Sequence, residues 1–153
     1  MDKRTRVLNA MNKREVDHVP VGFWFHFGGE EAVGDACVQA HLKYYRETDL
    51  DFVKIMCDNY SPYPLPKIEK AEDWTTLEPL TADHPFIREQ VERAKAIVDD
   101  IGKERCVFYN VFAPFSSLRF GADAIGISDD QVMEYIRTDR TAVMKALDVI
   151  AQS

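Results

Sequence analysis

The stretch Leu50–Tyr60, LDFVKIMCDNY, constrains the chain more than any other. Phe52, Val53, Ile55 and Met56 form an apolar run of strand length, which suits a parallel strand covered on both faces. Alternation puts Phe52, Lys54, Met56 and Asp58 on one side and Val53, Ile55 and Cys57 on the other. A strand over 50–57 then runs into a polar tip, Asp58-Asn59. In parallel α/β proteins ligands sit outside the carboxyl ends of the strands. Asp58 is therefore a candidate functional residue, with Lys54 below it on the same face. Asp and Asn also open ordinary loops, and position alone leaves both readings open.

The rest of the chain supplies elements around that strand. Asp2 or Thr5 can cap a first helix with Val7, Leu8 and Met11 on its apolar side. Pro20 biases Val19 towards an extended conformation, and VPVGFWFHF over 19–27 reads as a first strand ending at Gly28-Gly29. A helix follows over 31–47, with Val38, Leu42 and Tyr45 on one face. The loop 58–67 holds Pro62, Pro64 and Pro66 and cannot be helical throughout. AEDWT over 71–75 suits one helical turn with Trp74 packed down. A helix over 84–101, capped by Asp83 and with Pro85 in its first turn, carries Ile87, Val91, Ala94, Val98 and Ile101 at helical spacing. Gly102 fits the residue just past its end. CVFYNVF over 106–112 reads as a third strand, ended by Pro114, and 115–120 as a short helical segment. Ser128 and Gln131 form a capping box with Asp129 and Asp130 between them, and Asp139 caps a last helix carrying Val143, Leu147 and Ile150.

Helix and strand thus alternate, which predicts an α/β fold in one domain over 1–153, with about three parallel strands flanked by helices. Three strands leave two open edges. The chain is accordingly expected to be the front part of a larger barrel, or to complete itself as a homo-oligomer.

Composition narrows the partners. The net charge of −7 comes without acidic or basic blocks, which argues against nucleic acid and anionic membranes. No apolar run approaches membrane-spanning length and MDKRTRVLNA lacks a signal-peptide core, so a cytoplasmic location is expected. Cys37, Cys57 and Cys106 are far apart, without a CxxC pair, and read as reduced buried thiols. No two of His18, His26, His41 and His84 share metal-ligand spacing, and no metal site is expected. His26, beside Gly28-Gly29 at a predicted strand end, is the histidine best placed for a site; a packing role explains it slightly better. Trp24, Phe25, Phe27, Tyr60, Tyr63, Phe112, Phe115 and Phe120 fall near predicted strand ends and would suit a flat apolar ligand or a core. Ser116 and Ser117 read as helix-start residues, and Arg119 as a partner for a carboxylate or for water.

Three stretches together resemble the N-terminal half of the uroporphyrinogen decarboxylase family. RVLNAMNKREVDHVPV is similar to the family's first helix and its run into strand one. LDFVKIMCD is similar to its second strand, whose terminal catalytic aspartate falls on Asp58. FAPFSSLRF resembles the segment after strand three. The resemblance implies a partial TIM (β/α)8 barrel and a carboxy-lyase acting on tetrapyrrole carboxylates. In that role Asp58 would hydrogen-bond pyrrole N–H groups and stabilise a protonated pyrrole. It implies no metal or organic cofactor. Substrate contacts would come from His26, Gly28, Gly29, Asn59, Tyr60, Phe115 and Phe120. The family's paired arginines after Pro20-Val21 are replaced here by FWFHFGG, and its active-site tyrosine by Phe120. Cobamide-dependent methyltransferases of the same superfamily, acting on corrinoid or thiol substrates, offer an alternative. A non-catalytic half-barrel that oligomerises or complements a missing C-terminal half offers a third.

Overall fold

The structure is a computed structural model of the chain, and it describes residues 1–55 and 62–153. In chain order the regular elements are α1 (Lys3–Met11), a 3-10 turn (Gly29–Ala32), α2 (Gly34–Thr48), β1 (Phe52–Ile55), a 3-10 turn (Ala71–Thr76), α3 (Pro85–Ile101), β2 (Cys106–Tyr109), α4 (Pro114–Ala124), α5 (Asp129–Thr138) and α6 (Arg140–Gln152). The chain divides into two compact units, one made of Met1–Tyr60 and Glu89–Val111, the other of Ser61–Arg88 and Phe112–Ser153.

In the first unit β1 and β2 pair in parallel, with Phe52 opposite Cys106 and Ile55 opposite Tyr109. Val53 and Ile55, both fully buried, face Val38, Leu42 and Tyr45 of α2 and Ile97 and Ile101 of α3. The alternation expected of the 50–57 run is thus present over Phe52–Ile55, where β-branched side chains fill the helix-covered face. The continuation Met56 to Cys57 lies outside the described residues.

The expected partial TIM barrel with about three parallel strands is not what forms. Among the described residues there are two strands of four residues each, and most of the remaining regular structure is helix. The difference lies in 19–27, which forms no strand. Asp51 N–H donates to the Val21 carbonyl at 2.9 Å. Val21 N–H goes instead to the Asp51 side chain at 2.8 Å. The Lys54 N–H and C=O, which a third strand would use, both pair with the buried Tyr45 hydroxyl at 2.8 Å. That hydroxyl also lies 3.3 Å from the Phe23 carbonyl. A side chain from α2 has taken the ladder positions, so 19–27 stays irregular. Burial pushes the Tyr45 phenol up to about 12, so it remains a donor.

α1 is fixed to this unit through Arg6. Its guanidinium is buried and donates to Asp51 at 2.5 Å and to Asp17 at 2.6 and 2.9 Å. Asp2 caps α1 by accepting from Thr5 N–H. Val7 is buried as expected, but Leu8 and Met11 are exposed, and Arg6 is buried beside Val7 in their place. α3 departs likewise. Val91 and Val98 are exposed, and the inward line is Arg93, Ala94, Ile97 and Ile101. Apolar residues recurred on both sides of that helix, and periodicity alone could not say which side packed.

The second unit is helical. Trp74, carried on the 3-10 turn, and Leu118, Ala122 and Ala146 are completely buried with Val132 and Val143. Gly121 lies so close to the Tyr63 carbonyl that a Cβ there would stand 2.7 Å from the oxygen. The reciprocal Ser128–Gln131 capping box and the Asp139 cap on Ala142 N–H form as the sequence predicts.

Two predictions follow from these contacts. Burial pushes the Asp51 carboxyl up, but the Val21 N–H and Arg6 outweigh it and hold it below its ordinary value. The Arg6 hydrogen bond holds Asp17 lower still. Both carboxylates are thus more acidic folded than unfolded. Their stabilisation is present above about pH 4 and is lost as pH falls. Urea midpoints measured from pH 7 to 3 will fall below that point, and more shallowly in Asp17→Asn. Tyr45→Phe will cost about 1–3 kcal/mol, by leaving the Lys54 peptide groups without their partner; amide exchange at Lys54 will accelerate against that of Val53.

Candidate functional site

β1 and β2 run in the same direction, so their carboxyl ends, Ile55 and Tyr109, lie at one end of the sheet. This is the end at which parallel units bind ligands. Asp58, Asn59 and Tyr60 follow Ile55 in the chain and lie outside the described residues. Tyr109 donates from its hydroxyl to Gln90 Oε1 at 2.6 Å, which fixes that strand end against α3.

Two faces of the sheet differ in chemistry. Val53, Ile55, Val107 and Tyr109 belong to the packed core with α2 and α3. The opposite face carries Phe52, Lys54 and Phe108, with the Phe52 and Phe108 rings edge to face at 5.3 Å. Gly22 crosses Phe52 so closely that a Cβ would meet its ring at 2.1 Å, so only glycine fits this approach. Beyond Gly22 the segment presents exposed aromatic side chains, Phe23, Trp24 and Phe25. The Lys54 ammonium sits 4.1 Å from the centre of the Trp24 ring, a cation–π contact. Phe25 stacks on Tyr44 at 6.4 Å.

Behind Phe27 lies a buried polar group. Phe27 packs on the His41 ring at 4.8 Å. His41 Nδ1 is 2.7 Å from the Cys37 carbonyl and 3.5 Å from Cys37 Sγ. Arg93 Nη1 donates to the same sulfur at 3.8 Å. Burial lowers the His41 pKa, keeping the ring neutral. Burial raises the Cys37 pKa despite Arg93. A protonated thiol and a neutral imidazole do not make a thiolate nucleophile; the group packs the core. Arg93 was not singled out by its sequence context, although it lies four residues before Ile97 and eight before Ile101 on one helical line.

The residues expected to contact substrate are placed as follows. His26 is exposed, in the irregular segment before the glycines. Gly28 precedes the Gly29–Ala32 turn, and Gly29 has φ +59, the conformation that calls for glycine. Space around both positions is open. Phe115 and Phe120 lie on α4 in the second unit, exposed, with Phe120 edge-on to Phe112 at 5.1 Å. Tyr63, from the same aromatic set, is buried there with its hydroxyl 2.9 Å from Ser153 Oγ. His84 accepts from Phe86 N–H as a helix-start residue. Arg119 makes a bidentate pair with Asp129, with Nε to Oδ1 at 2.7 Å. Among the described residues no group of three or more His, Cys, Asp and Glu could hold a metal ion. No helix among them is long and apolar enough to cross a membrane.

No family model matches the chain, and neither do the curated proteins or the solved structures with which it was compared.

The buried thiol gives a direct check on the Cys37 group. In native protein at pH 8 Cys37 will react with a disulfide reagent at least about a hundredfold more slowly than in urea, read by peptide mapping. Fast native labelling would show that the thiol is neither buried nor protonated.

Proposed function

We propose that this protein is a uroporphyrinogen decarboxylase-like carboxy-lyase acting on a tetrapyrrole carboxylate, with Asp58 as the central group. The observation that supports this reading is the parallel β1–β2 pair. Its first strand carries the FVKI portion of the resembling stretch, with Val53 and Ile55 buried; Asp58 follows Ile55 by three residues in the sequence, and ligands of parallel units sit beyond the carboxyl ends of their strands. An ionised carboxylate there would accept from pyrrole N–H groups and oppose the positive charge of a ring protonated at carbon. The carbon–carbon bond to the leaving carboxylate then breaks, its electron pair neutralises the ring as an exocyclic methylene, carbon dioxide departs, a proton adds at that methylene carbon, and the proton first added to the ring carbon is lost. No cofactor enters this scheme. The buried free thiols Cys37 and Cys106 fit a reducing, cytoplasmic compartment. The exposed aromatic side chains Phe23, Trp24 and Phe25 fit a chain that works as an assembly of more than one copy.

One observation favours a second reading. The segment after Pro20-Val21 presents Phe23, Trp24 and Phe25 rather than cations, and a polycarboxylate needs cations. Methyl transfer involving a corrinoid or thiol substrate, as in the cobamide-dependent methyltransferases, places less demand on positive charge.

The test uses the whole chain with uroporphyrinogen, following loss of carboxylate groups, and in parallel with methylcobalamin and a thiol, following methyl transfer. Decarboxylation is expected, and Asp58→Asn will lower it by at least ~100-fold with an unchanged circular dichroism spectrum. Turnover unaffected by Asp58→Asn removes that residue from the chemistry; methyl transfer without decarboxylation selects the second reading.

A further inference from the structure

Lys54 differs from the other lysines among the described residues. Lys3, Lys67 and Lys95 each pair with a carboxylate. Lys13, Lys43, Lys70, Lys103 and Lys145 pair with none but are exposed to water. Lys54 is half-buried, and its ammonium meets the Trp24 ring instead of an acid among the described residues. The chain holds 26 Asp and Glu against 19 Lys and Arg, so acids are not in short supply. The nearest acid in the chain, Asp51, is committed to Arg6 and the Val21 N–H. The aromatic ring attracts the positive charge without neutralising it, and the ammonium keeps its donors for an anion.

This pair is held from behind. The Tyr45 hydroxyl meets the Lys54 N–H and C=O at 2.8 Å and lies 3.3 Å from the carbonyl of Phe23, the residue before Trp24. One buried group thus fixes both the strand that carries the ammonium and the segment that carries the ring. A half-buried charge without a counterion is costly, and a carboxylate that reaches it gains charge-assisted hydrogen bonds. The aromatic strip of Phe23, Trp24 and Phe25 is exposed and offers flat apolar surface beside the charge.

We propose that Lys54, held on Trp24, binds one carboxylate of the substrate, with the aromatic strip against the substrate's rings. Lys54 then supplies a cation that the stretch after Pro20-Val21 lacks. The proposal rests on the reading of the substrate as a tetrapyrrole carboxylate and adds the residue that grips it.

The test is a titration of the full chain with uroporphyrin, a stable oxidised probe, followed by quenching of tryptophan emission. Binding is expected, and Lys54→Met will weaken it by roughly tenfold or more with an unchanged circular dichroism spectrum, while Lys54→Arg stays within a few-fold of wild type. Added salt will weaken binding to the wild type more than binding to Lys54→Met, a response that a purely structural role of the side chain does not produce. Equal affinity and equal salt response in wild type and Lys54→Met overturn this proposal and leave the lyase reading standing. Binding that depends on Lys54 without any decarboxylation supports the proposal and removes the lyase reading. A wild-type chain that does not bind uroporphyrin overturns both.

Discussion

The Asp51 carboxylate joins three parts of the first unit. One oxygen accepts from Arg6 on α1 and the other from the Val21 N–H, while the Asp51 N–H returns a bond to the Val21 carbonyl. Asp51 stands immediately before β1, so these contacts fix where the strand begins and where the 19–27 segment passes it. They also explain the ionisation of the site. Burial disfavours a carboxylate, and a guanidinium with a backbone donor reverses that preference. The arrangement ties local helix, loop and strand into one body without a large core at that end.

Guanidinium groups are used in the same way elsewhere in the unit. Arg105 is buried and donates to the Tyr45 carbonyl at the end of α2, and Arg93 reaches the Cys37 sulfur. Such groups resist deprotonation and hold several donors in a fixed plane, which suits them to stitching backbone to side chain in a small domain. They therefore lie within the packing, while Lys54 on the sheet face turned away from α2 and α3 is paired with the Trp24 ring. This distribution of cations bears on ligand chemistry. Beside that sheet face the exposed groups are Phe23, Trp24 and Phe25, with the Lys54 ammonium drawn onto the Trp24 ring.

Local signals in the sequence were legible where the physics is local. The Ser128–Gln131 box, the Asp139 cap, the Trp74 turn and the Val53/Ile55 alternation each depend on neighbours a few residues away, and each is present. The expected strand over 19–27 depended on a tertiary event. VPVGFWFHF has strand-like composition, but the Tyr45 hydroxyl, from a helix some twenty residues later, takes the backbone groups it would have paired with. Burial of Arg6 and Arg93 was hidden for a related reason, since charged side chains on a helix ordinarily mark the solvent side. For the site, sequence reading named Asp58 through the strand that leads to it. The described structure supports that strand and its parallel neighbour, whereas Phe115 and Phe120 fall in the other unit.

The pairing of β1 with β2 joins residues about fifty positions apart, and Ser61–Arg88 between them belongs to a different compact unit. On a ribosome adding roughly 5–20 residues per second, β1 must therefore wait several seconds for its partner. Throughout that interval Val53 and Ile55 have neither β2 nor α3 against them, and the aromatic strip has already emerged. The first unit is thus a late-closing structure whose early half is born sticky, and the loop closure it requires makes folding slower than its small size would indicate. In a cell this is the kind of nascent segment that chaperones shield, and slower translation through the intervening residues would lengthen its exposure.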